Sequence, residues 1–85
     1  MAKKNKATPI IHVKKPKIGK QYWFKFAGAW YYGTLANANE KLTETYGVNW
    51  YIFEKMESLS KSTGQRLYRY PVSIFNIREN QEDLD

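Results

Sequence analysis

The sequence predicts a small all-β domain, a five-stranded barrel, and three observations carry that expectation. Aromatic and aliphatic residues recur at period two through several short stretches. Turn residues separate these stretches at short, regular intervals with no conventional helix between them, the pattern of a meander that closes on itself. The chain has 85 residues and no cysteine, so a dense core rather than disulfides must hold it together. Three Trp, seven Tyr and four Phe supply that density, since each buried ring removes about 150–250 Å² from water.

Residues 1–17 read as a disordered basic arm, rich in Lys and Asn and broken by Pro9 and Pro16. Within it, Ile10, Ile11, His12 and Val13 are expected to form either a short edge strand or a clip against the body. The barrel is expected over residues 18–78. Its first strand, 18–26, places Tyr22, Phe24 and Phe26 on one face. Ala27, Gly28 and Ala29 make a tight connection, with Gly28 free to adopt positive φ. The return strand, 30–36, aligns Trp30, Tyr32 and Thr34, and Gly33 within it predicts a bulge or a sharp bend that helps the barrel close.

Asn39 is placed to N-cap Glu40, but Thr43, Thr45 and Gly47 limit the prediction to one helical turn. A third strand, 48–56, sets Val48, Trp50 and Ile52 opposite Tyr51 and Phe53. Residues 57–64 form a polar loop. Residues 65–70 make the fourth strand, stopped by Pro71, and residues 73–77 the fifth. A short acidic tail, 79–85, completes the chain. With Tyr22, Phe24, Phe26, Trp30, Tyr32, Trp50 and Ile52 inside, the rings of Trp23, Tyr31, Tyr51 and Phe53 point outward; the opposite assignment exchanges the two groups.

Two segments carry a resemblance. Ile18 to Phe26 (IGKQYWFKF) followed by Ala29 to Leu35 (AWYYGTL) resembles the opening hairpin of the SH3-like small barrels, the Tudor group in particular. Tyr70 to Phe75 (YPVSIF) is similar to the short 3₁₀ turn that delivers their last strand. The resemblance covers about sixty residues and implies a fold more than a function. In Tudor domains an aromatic cage binds methylated lysine or arginine, and Phe26, Trp30, Tyr32 and Phe53 are the positions that would align with it. Glu54 or Glu57 would have to supply the acidic residue expected after strand three. In style, a short cysteine-free chain rich in Lys, Asn, Ile and Tyr is also similar to small accessory proteins of bacteriophages with AT-rich genomes.

The chemistry of catalysis is missing from the sequence. His12 is the only histidine and lies in the arm, and with no cysteine nothing reaches zinc-ligand spacing. Glu54 and Glu57 read as solubilising charges, and Ser62, Thr63 and Gly64 as an ordinary turn. No catalytic residue, metal, cofactor or small-molecule substrate is expected. No apolar run approaches the roughly twenty residues of a membrane span, and the charged N-terminus has no apolar stretch behind it, so a cytoplasmic protein is expected.

Two features point to binding. Net charge is +6, and it is unevenly placed: residues 1–20 hold Lys3, Lys4, Lys6, Lys14, Lys15, Lys17 and Lys20 with no acid. Such an arm neutralises phosphates and releases counterions. The second feature is the surplus of rings, with Trp23, Tyr31 and Tyr51 beside Lys25, Arg66 and Arg69 as a platform on which bases stack. The leading expectation is a weakly sequence-specific nucleic-acid-binding barrel, DNA ahead of RNA. The alternative is a protein-interaction module, such as a phage-encoded factor that inhibits or redirects a host enzyme, and a methyl-lysine or methyl-arginine reader comes third.

Overall fold

A two-residue turn sets the register from which the rest of the fold follows. In the computed structural model, which describes residues 10–58 and 64–84, β1 (Gln21–Phe26) and β2 (Ala29–Ala38) are joined by Ala27 and Gly28 alone. Both have positive φ, 52° and 82°, the signature of a type I′ hairpin turn. Phe26 therefore pairs with Ala29, Phe24 with Tyr31, Tyr22 with Gly33 and Trp23 with Tyr32. Gly28 meets the demand at no steric cost, whereas Ala27 is held in the left-handed region that alanine disfavours. Ala27→Asn creates the preferred Asn–Gly turn. It should stabilise the domain by about 1 kcal/mol and raise its melting midpoint by about 4–8 °C. An unchanged midpoint would mean that the turn carries no strain.

β2 leads into α1 (Glu40–Tyr46), then β3 (Trp50–Ser58), β4 (Gln65–Ser73), a 3₁₀ turn over Ile74–Asn76 and β5 (Ile77–Arg78). The strands form one antiparallel sheet in the order β4-β3-β2-β1-β5. All-β architecture is thus as expected. β4 and β5 lie at the two edges and do not pair with each other.

Side-chain contacts nonetheless cross strands that are not neighbours. Phe24 on β1 stacks on Phe53 of β3 at 4.7 Å between ring centres, and Tyr70 on β4 lies 5.3 Å from Phe24 and 5.1 Å from Phe26. The sheet curls to bring these rings together, and its concave face is the core. Tyr22, Phe24, Leu35, Phe53, Val72 and Ile77 are fully buried there.

Several expectations are corrected. β1 follows its expected face, but β2 and β3 are reversed: Phe53 is in the core, and Tyr31 and Tyr51 pack against it, whereas Tyr32 is 45% exposed and Ile52 is only half-buried. Directly paired residues share a face, and a two-residue turn pairs even-numbered with odd-numbered positions. The bulge lies between Leu35 and Asn37, not at Gly33. Pro71 does not stop β4; the strand runs through it to Ser73, which an edge strand tolerates. Most of the expected fifth strand is instead the 3₁₀ turn.

α1 spans seven residues rather than one turn. The Asn39 side chain caps it by accepting from the Leu42 N–H (3.2 Å), and Gly47 ends it. Thr43, expected to break the helix, stays in it because its hydroxyl donates to the Asn39 carbonyl and accepts from the Trp50 N–H, both within 2.9 Å.

The two flanks are tied to the body. Val13 is buried in the core cluster, so the 10–13 stretch acts as a clip rather than a strand, and the Lys17 N–H donates to the Tyr22 hydroxyl (2.9 Å). At the other end, Arg78 is buried. Its guanidinium donates to the carbonyls of Phe75 (2.6 Å), Ile77 (3.1 Å) and Asp83 (3.2 Å), holding the 3₁₀ turn Gln81–Asp83 of the acidic tail.

Candidate binding surface

The convex face of the sheet carries what the core does not use. Its residues follow from the register: Trp23 beside Tyr32 and Lys25 beside Trp30 on β1 and β2, then Thr34, Glu54 and Arg69 in one row, and Met56 beside Leu67 on β3 and β4. Tyr32, Met56 and Leu67 line one shallow depression of about 430 Å³ with Gln21, Thr34 and Glu54. Met56 is 54% and Leu67 42% exposed.

The cations expected to serve this surface are distributed differently. Lys25 lies 5.8 Å over the Trp30 ring, whose surroundings also include Arg78 at 5.1 Å. Arg69 pairs with Glu54 across β3 and β4 (3.1 Å). Lys20 pairs with Glu79 (2.6 Å), and that hydrogen bond raises its pKa above the usual lysine range. Arg66 projects from the concave side of β4, 5.9 Å from the Tyr68 ring. Lys14, Lys15 and Lys17 are exposed along the segment leading into β1. Lys3, Lys4 and Lys6 lie outside the described residues.

The expected ring platform does not assemble. Of its three members only Trp23 faces outward, tilted against Tyr32 at 5.2 Å. Tyr31 stacks on Tyr70 (5.4 Å) inside the curl, and Tyr51 packs against the core. Tyr70 is itself engaged: its hydroxyl donates to Glu57 (2.5 Å), and burial, reinforced by that bond, pushes its pKa up to about 12. The four residues aligned with a methyl-reader cage are also divided. Phe26 and Phe53 lie on the concave face and Trp30 and Tyr32 on the convex one, so they enclose no common cavity.

Met56 and Leu67 were absent from the sequence-based candidates. A signal for them exists: Met56 lies between Lys55 and Glu57 and Leu67 follows Arg66, and the two face each other once β3 pairs with β4. Among the described residues no group of His, Asp and Glu is arranged to hold a metal ion, and no helix is long and apolar enough to cross a membrane. Comparison with protein-family models, with curated proteins and with solved structures finds no match to this chain.

Proposed function

We propose that this protein is a non-catalytic interaction module, a curled sheet in the manner of an SH3-like (Tudor-like) barrel, whose convex face docks a protein partner. One observation carries the reading: Tyr32, Met56 and Leu67, each more than two-fifths exposed, line a single depression. Interface centres are enriched in Tyr and Met. The partner is a cytoplasmic protein, and a host enzyme if the chain is phage-encoded.

A second reading has its own observation. Lys14, Lys15 and Lys17 are exposed in sequence continuity with Lys3, Lys4 and Lys6, and a lysine row of this kind binds nucleic-acid backbone, DNA ahead of RNA, without reading sequence.

The test begins with a partner isolated from extract, identified, and reconstituted from purified components. Met56→Asp should then weaken the complex at least tenfold while leaving the melting midpoint near that of the parent, as expected of a solvent-facing hot spot. The same variant is titrated with random duplex, single-stranded DNA and RNA at two salt concentrations. If affinity resides there, falls with log salt by about 0.9 per phosphate contact, and is lost on replacing Lys14, Lys15 and Lys17, the nucleic-acid reading replaces the first.

A further inference from the structure

β4 is an edge strand, and the direction of its outward hydrogen-bonding groups follows from its neighbours. Trp50 turns its N–H to the Thr43 hydroxyl and its carbonyl to the Asn39 N–H, each 2.8 Å away and both on the β2 side. Asn49, one residue earlier, turns its carbonyl the other way, to the Ile74 N–H at 2.9 Å. Antiparallel alternation then directs Tyr51, Phe53, Lys55 and Glu57 toward β4, where they face Val72, Tyr70, Tyr68 and Arg66. The intervening residues, Gln65, Leu67 and Arg69, point their N–H and C=O groups away from the sheet. Pro71 is next in that row, and its nitrogen, which has no hydrogen to offer, sits on the open side where it costs no ladder bond. No other described strand covers this side.

The edge also has chemical character. Residues 65–69 are all exposed, with Leu67 on the convex side (42%) and Tyr68 on the concave side (36%). β4 holds two arginines, Arg69 on the convex and Arg66 on the concave side, and no acidic residue. Pairing β4 with the same strand of a second copy would gather the arginines of both chains along one ladder with no acidic residue of β4 to offset them. A strand bearing carboxylates meets Arg66 on the concave face, while Arg69 on the convex face is held by Glu54 (3.1 Å). Arg66 is exposed on the concave side, and Glu57, its cross-strand neighbour, accepts the Tyr70 hydroxyl.

We propose that the open edge of β4 takes up an extended, acidic segment of a partner protein as an added antiparallel or parallel strand. Its main chain bonds Gln65, Leu67 and Arg69, its carboxylates meet Arg66, and Pro71 ends the addition. This site is the rim of the sheet and does not depend on docking at the convex face.

The experiment uses the full chain and a labelled peptide of alternating Glu and Val, with a Lys–Val peptide as control. The Glu–Val peptide should bind, slow hydrogen exchange of the Leu67 and Arg69 amides, and shift their NMR signals. The Lys–Val peptide should not bind. Reversing the charge of Arg66 (R66E) should lower affinity for the acidic peptide by about tenfold and admit the basic one. A Glu–Val peptide methylated on alternate backbone nitrogens should lose binding, which tests the ladder without altering the protein. The inference is overturned if the acidic peptide fails to bind, or if methylation is without effect. It is overturned as well if the Leu67 and Arg69 amides become protected with rising protein concentration alone, the mark of self-pairing. Peptide uptake at the edge and binding of the purified partner at the convex face are measured separately, so failure at the one and failure at the other are told apart.

Discussion

Phe53→Ala should come close to unfolding this protein. Phe53 is fully buried, stacks on Phe24 at 4.7 Å and meets Tyr22 edge-on at 6.3 Å, so it links β3 to β1 across the strand between them. Removing a buried phenylalanine costs about 3–5 kcal/mol, a large share of the roughly 5–15 kcal/mol that stabilises a typical domain and that a chain this small reaches only at its lower end. Urea titration followed by tryptophan fluorescence should show the midpoint falling sharply. Ile52→Ala, on the opposite face of the same strand and half-buried, is the internal control and should cost clearly less. Equal losses for the two would reverse the orientation of β3.

Gly33→Ala should be the next most damaging change, although it adds one methyl group. A Cβ at this position would stand 2.6 Å from the Glu54 carbonyl oxygen and 3.1 Å from Phe24 Cε2. The first neighbour is main chain of the paired strand and the second a core ring, so neither yields without moving the sheet. The expected cost is about 1–3 kcal/mol, the range for overpacking, which corresponds to roughly 4–8 °C of melting midpoint per kcal/mol in a domain of this size. A parent-like midpoint would mean that β2 and β3 do not approach so closely.

The all-β class and the main punctuation were legible because they rest on local physics. Alternation in β1 placed Tyr22 and Phe24 inside, Asn39 announced a helix N-terminus through its side-chain oxygen, and Gly28 announced a turn with positive φ. The candidate surface was legible only in part. Trp23 and Lys25 belong to the strand whose face was read correctly, and both lie on the convex side. Tyr31 and Tyr51 belong to strands whose faces depended on counting residues in a turn and a bulge. Met56 and Leu67 became candidates only when paired across the β3–β4 hairpin.

By itself the sequence determined an all-β domain with an aromatic core and a basic leading segment, since composition and period two act residue by residue. Which ring faces inward on β2 and β3 was a tertiary decision. Both faces of these strands carry aromatics, so alternation cannot rank them. What ranks them is a two-residue turn that forces Ala27 to a φ of 52°, against its own preference, because only that turn sets Phe24 beside Tyr31 and Tyr22 beside Gly33. The curl that joins Phe24, Phe53 and Tyr70 across three strands repays the local strain, and no short window of sequence contains those partners together.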